Sequence, residues 1–238
     1  MALLNEVLDA NGGMDQWRRV QRFTVHVSIG GALLARKGKA RFLKEIVARG
    51  SIETQSVRLT GLKAPDECVT FRPDRVAIER LDGTVLHTRN DPRAAFLQGF
   101  EDAPWDDLDL AYFGGLSVWN CLTIPFLLGR PEIKTEELAP WSEGSGEWAR
   151  LKAIFPPNIT THSSAQIFSF DSARLQRRTD CRLVAMRGTP VADFSRAHQK
   201  FSGITLPTLR RSLEVGHDGV VVPKPPLIDI EIFDVSFD

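Results

Sequence analysis

The residues with most chemistry to offer are five histidines, three cysteines, an acidic triplet and a set of strand-borne arginines. His26, His87, His162, His198 and His217 are scattered, and neither HExxH nor HxH spacing occurs, so no metal centre is expected. His26 and His198 fall in alternating stretches and read as ordinary strand residues, and His217-Asp218-Gly219 reads as a hairpin turn. His162 stands in Thr160-Thr161-His162-Ser163-Ser164, a polar cluster that could line the mouth of a cavity or form a solvated turn. Cys68, Cys121 and Cys181 contain no CxxC pair, which points to neither a zinc site nor a redox motif. Cys121 reads as a small buried hydrophobe. Asp106, Asp107 and Asp109 could serve as general acids or hold a cation, but they read as a solvated helix start whose carboxylates complement the helix dipole. Neither GxSxG, GxxxxGK[ST] nor GxGxxG is present, and no cofactor is expected. Arg150, Arg177, Arg178, Arg182, Arg210 and Arg211 lie on expected strands. One that points into a concave cavity could hold an anionic head group bidentately, although alternation does not say which face is which. Arg178 is set beside His162 as a candidate for that polar mouth.

These side chains need a scaffold. The 238 residues suit one large β domain or two small ones. Lys plus Arg equals Asp plus Glu at 30 each, a balance that argues against a nucleic-acid partner, which needs a basic face to displace counterions. The odd cysteine count fits a reducing compartment better than a disulfide framework. Asn5, Glu6 and Asp9 interrupt the N-terminal apolar residues as a signal peptide would not. The expectation is a cytoplasmic protein, or a periplasmic or extracellular one if a leader has been removed.

One segment stands apart. From Leu110 to Gly129 the chain reads LAYFGGLSVWNCLTIPFLLG, without a charge, where a quarter of all residues are charged. It has the length of a membrane span, about 20 residues. Yet Gly114, Gly115, Ser117, Asn120, Thr123 and Pro125 interrupt it and acidic residues precede it, so it is read as a packed helix with no stable membrane insertion.

Leu3, Leu4, Val7 and Leu8 have helical spacing, Asn11-Gly12-Gly13 breaks it, and Met14, Trp17 and Val20 resume it. Phe23, Val25, Val27 and Ile29 then alternate with polar residues, and short strand-like stretches joined by turns continue to residue 90. Among them is Ala40, Phe42 and Leu43. Asp91 and Pro92 open a helical section, and strands return from Trp148 to the end. The expected architecture is α+β: one mostly antiparallel sheet of roughly ten to eleven strands. Residues 1–238 would form a single domain, with helices at the start and over about residues 91–130.

Three stretches carry a resemblance. IFSFDSARLQRRTDCRL resembles the strand–turn–strand motif of the lipoprotein-carrier (LolA/LolB-like) superfamily. HQKFSGITLPTLRR resembles that group's strand pair with its Gly-Ile and Leu-Pro-Thr signature, and LIDIEIFDVSFD its closing strand. GGMDQW after the first helix is similar to the opening of some relatives. The resemblance covers residues 148–238 best and residues 1–90 less well. It implies a strongly curved sheet, an incomplete barrel, with helices across its concave side covering an apolar cavity. The uncharged segment would then be the plug, with Tyr112, Phe113, Leu116, Trp119, Leu122, Phe126 and Leu127 facing the cavity and Gly114 and Gly115 allowing close approach or a hinge. The implied function is binding or carriage of a lipid or other apolar small molecule. The alternatives are an enzyme acting on an apolar substrate in the same cavity and a structural or interaction protein that binds nothing there.

Overall fold

Phe23, Val25, Val27 and Ile29 are buried while Thr24, His26 and Ser28 between them are only partly so, as expected of a strand with one face on a core. In the computed structural model, which describes residues 2–40, 42–62, 64–98, 103–143 and 146–238, this strand is β1 (Arg22–Gly30). Two helices precede it, α1 (Ala2–Ala10) and α2 (Met14–Trp17). Leu3, Leu4, Val7 and Leu8 form the buried stripe of α1, and the chain turns out of the helix at Gly12 and Gly13, both at positive φ. A short helix, α3 (Ala32–Arg36), follows β1, and then β2 (Ile46–Ser51), β3 (Ser56–Thr60), β4 (Glu67–Arg72), β5 (Arg75–Arg80) and β6 (Val85–Asn90) run as a meander.

The helical section comprises α4 (Pro92–Gln98), α5 (Asp107–Thr123) and a 3-10 turn over Phe126–Gly129. The expected section also spans residues 99–102, which lie outside the described residues. A second meander follows: β7 (Lys134–Glu143), β8 (Gly146–Ile154), β9 (Ala165–Phe170), β10 (Gln176–Leu183), β11 (Thr189–Phe201), β12 (Ile204–Glu214) and β13 (Ile228–Phe237).

The thirteen strands among the described residues belong to one open, antiparallel sheet in the order β6-β5-β4-β3-β2-β1-β13-β12-β11-β10-β9-β8-β7. The two meanders join where the first strand meets the last: Phe23 lies opposite Phe237 and Val25 opposite Val235. This topology accounts for the plug. The chain leaves the first meander at one edge, β6, and enters the second at the other, β7, so residues 91–133 must cross the whole sheet. Flat, the sheet would be roughly 58 Å wide, whereas α5 is about 25 Å long. The sheet curls round the helix, because α5 packs on β3, β4, β5 and β6 and at the same time faces β9 to β13 across a cavity. A helix walled in on both sides can be apolar all round, and in α5 every residue from Leu110 to Trp119 is buried. No helix among the described residues is long and apolar enough to cross a membrane.

Two expectations for the elements change. Ala40, Phe42 and Leu43 lie in turns and not in a strand, after α3, whose Leu33 and Leu34 are buried together with Leu43. And strands resume at Lys134, earlier than expected, because β7 is an edge strand with charged residues and Pro140 in place of apolar alternation.

Candidate ligand cavity between the crossing helix and the sheet

Helix α5 starts on its own acids. Asp106 is the N-cap and accepts from the Asp109 amide at 2.9 Å, while Asp109 accepts from the Asp106 amide at 3.1 Å. Arg89 on β6 bridges Asp106 and Asp109, and Lys39 meets Asp107 at 2.6 Å. The acidic triplet is thus engaged in capping the helix and tying it to the sheet.

One side of α5 then lies hard against the first meander. A Cβ on Gly115 would sit 2.3 Å from the Phe71 Cβ, and one on Gly114 would sit 3.2 Å from Leu43 Cδ1. The glycine pair serves close approach. Around it the large side chains close the core. Tyr112 lies between the rings of Phe71 and Phe96, with centroids at 5.7 and 5.3 Å. Trp119 is fully enclosed and its indole N–H donates to the Ser51 carbonyl at 2.9 Å. Phe126 stacks on Trp17 at 4.5 Å. Phe113, Leu116, Leu122 and Leu127 are buried in the same cluster. None of the seven residues expected at a cavity lines the cavities of about 180 and 90 Å³ that border α5.

The cavities lie elsewhere on the helix. One, of about 180 Å³, sits at its N-terminal end between Asp107, Leu110, Phe42, Leu62 and the inner faces of β4, β5 and β6. The other, of about 90 Å³, lies along the stripe Ser117, Asn120, Cys121 and Ile124, whose spacing puts them on one face of α5. Its far wall comes from alternate residues of β9 to β13. Phe168, Leu183, Val191, Ile228 and Ile230 supply apolar surface, and Thr179, Asp193, Arg210 and Ser212 supply polar groups. These polar residues are neighbours by register: Thr179 and Ser212 both lie opposite Asp193. Asp193 accepts from Ser212 Oγ at 2.9 Å and from Arg210 Nη1 at 3.2 Å.

His162 closes one end of this cavity. Its Nε2 is 3.0 Å from Ser117 Oγ, a bond in which either partner can donate according to the imidazole tautomer. The segment that carries it is pinned by Gln55, which bonds both the amide and the carbonyl of Thr160 at 2.7 and 2.8 Å, and by Arg93, which donates to the Thr161 carbonyl at 3.0 Å. Burial, with the Arg93 charge adding, pushes the His162 pKa down to about 4. The imidazole is neutral at neutral pH, and its charged neighbour is a cation, the opposite of the carboxylate that orients a catalytic histidine. The thiols beside the cavity are quenched in the same way. Burial raises Cys121, and burial together with Asp193 and Asp180 pushes Cys181 up to about 12.

The two residues set together as a polar mouth are on different faces. His162 borders the cavity, but Arg178 alternates with the cavity-lining Thr179 and Cys181 and so points through the other side of β10. There it pairs with Asp180 at 2.7 Å and lies 4.2 Å over the Trp141 ring. The arginine that reaches the inside is Arg210. The sequence carried no deciding signal for it: Arg210 is in phase with Ile204 and Leu206, but Arg211 is in phase with Leu209 and Leu213, and the fold buries the first and exposes the second.

No protein-family sequence profile matches this chain, and no match was found among curated proteins. Solved structures do match. A LolA superfamily protein from Nitrosomonas europaea is 10% identical, with 99% of this chain and 92% of that one covered at a TM-score of 0.51. A Vibrio parahaemolyticus domain assigned to outer membrane lipoprotein sorting is 8% identical, with coverage of 97% and 92% and a TM-score of 0.50. At these identities the likeness is one of fold.

Proposed function

With the LolA-like fold as premise, we propose that this chain binds an apolar small molecule, such as the acyl chain of a lipid, in the seam between α5 and the β9–β13 half of the sheet. The observation that carries the reading is the asymmetry of α5. Its glycine face is locked onto β3 to β5 at contact distance, while its Ser117–Cys121 face borders a cavity with apolar walls and a few convergent polar groups. At about 90 Å³ the cavity is smaller than the roughly 300–1,000 Å³ of an occupied small-molecule site. Uptake of an acyl chain thus requires α5 to separate from the β9–β13 wall, with the first meander as its fixed seat. Burial of the ligand's apolar surface, at about 25 cal/mol per Å², supplies the driving force.

The test is titration of delipidated protein with a fluorescent fatty acid, alongside Cys121→Phe, which fills the cavity from the helix side. Saturable uptake by the parent and much weaker uptake by the equally stable variant is the expected result. Absence of saturable uptake by the parent would sink the reading.

A further inference from the structure

We propose that Arg210 is the head-group site of this cavity and takes the carboxylate of an apolar, singly charged ligand. This rests on the cavity being a ligand site and adds which chemistry the ligand's polar end carries. Arg210 lines the cavity and is only 7% exposed, yet among the described residues its guanidinium makes a single hydrogen bond, Nη1 to Asp193 at 3.2 Å. Its Nε and Nη2 are buried and have no hydrogen-bond partner among the described residues. Those two N–H groups form the side-on fork of the guanidinium, parallel donors whose spacing matches the two oxygens of a carboxylate.

The same chain shows the fork in use. Arg178 directs Nε to both oxygens of Asp180, at 2.9 and 3.0 Å, and Nη2 to one of them at 2.7 Å. Arg210 differs in having its acid on Nη1 and no protein group on the fork. A buried guanidinium held by one long ion pair is costly, because each unpaired donor forfeits its hydration. The deficit extends to the neighbour across the ladder: Ser195 lies opposite Arg210, and its buried Oγ also has no partner. A hydroxyl donor beside the fork suits a carboxylate as a third bond.

Charge and size narrow the class further. Asp193 already balances Arg210, so a monoanion leaves one net negative charge in the buried site, and a dianion leaves two, at far greater desolvation cost. A planar carboxylate also fits a cavity of about 90 Å³, with Phe168, Ile228 and Ile230 beside it for the first methylenes of a tail.

The test compares ligands with one tail and different heads. Dodecanoate, dodecanol and dodecyl phosphate are titrated calorimetrically into delipidated full-length protein near neutral pH. Dodecanoate should bind at least about tenfold more tightly than dodecanol, the scale of a charge-assisted bidentate pair, and more tightly than dodecyl phosphate. In the Arg210→Gln/Asp193→Asn double variant, which buries no unpaired charge, the preference for dodecanoate over dodecanol should collapse. Arg210→Lys keeps the charge without the fork and should lose most of the preference too, which guards against a double variant that does not fold. If the parent binds dodecanol as tightly as dodecanoate, the head-group site is refuted while the apolar cavity stands. If the preference survives in both variants, another group holds the carboxylate and Arg210 is refuted. Tighter binding of dodecyl phosphate refutes the carboxylate, and binding of no ligand removes the cavity reading itself.

Discussion

The Ser117 hydroxyl on α5 and the His162 imidazole on the segment before β9 lie 3.0 Å apart, a direct polar bond between the crossing helix and the wall it faces. In the neutral imidazole Nε2 can accept from the hydroxyl or donate to it, according to the tautomer.

A pH dependence follows from that imidazole. The His162 pKa is about 4 in the folded protein, against 6.5 for an unperturbed histidine, and His198 is lowered to about 4 as well. Between those values the unfolded chain binds protons that the folded chain refuses, so stability is full above about pH 6.5, falls as the pH drops, and has lost this contribution near pH 4. Urea unfolding at about pH 7 and about pH 5 should show the loss. His162→Gln should show a smaller one, and an undiminished loss would mean that His162 is not the group responsible.

Trp119 makes a second prediction. A residue at a cavity wall has already forgone part of its packing, but Trp119 is fully enclosed and its indole is bonded to Ser51. Trp119→Ala should therefore cost the full amount for a core aromatic, about 3–5 kcal/mol by chemical denaturation. A cost under about 2 kcal/mol would place the side chain against open space after all.

The glycine pair allows a sharper comparison. In a helix interior alanine is favoured over glycine by about 1 kcal/mol, so both substitutions would stabilise α5 if nothing lay against it. At Gly115 the new Cβ would meet the Phe71 Cβ at 2.3 Å, whereas at Gly114 it would meet the mobile ends of Leu43 and Leu59 at 3.2–3.3 Å. Gly115→Ala should destabilise by about 1–3 kcal/mol, and Gly114→Ala should lie near neutral. Equal effects would rule out the tight seat on Phe71.

Thiol chemistry reports on the seam directly. Cys121 and Cys181 both line the cavity with pKa values raised by burial, in Cys181 to about 12. Iodoacetamide should label neither at an appreciable rate in the folded protein, and both readily in urea. Rapid labelling of Cys121 alone would show that α5 already parts from the β9–β13 wall in the resting protein.

Much of this architecture was legible beforehand. Where one strand face is buried, alternation can be unambiguous, as at Phe23 to Ile29. Strand β7 escaped because an edge strand carries charge and proline to prevent pairing with other chains, and those residues erase the pattern that reveals a strand. Ala40, Phe42 and Leu43 misled for a different reason: a few apolar residues close together read alike in a strand, a turn or a helix.

The run from Leu110 to Gly129 draws the boundary. Twenty residues without charge, most of them apolar, indicated that most of the segment is enclosed, because so much apolar surface is costly to leave in water. What encloses each side was decided only when β1 paired with β13 and the sheet curled round the helix, setting Gly115 on Phe71 and Cys121 against the wall that holds Arg210. The arginines show the same division. A period of two says that Arg210 and Arg211 face opposite ways, but a strand carries no mark of which face will be inside. That choice belongs to the curvature of the sheet and to the helix that fills it, which are sums of contacts between residues far apart in the chain.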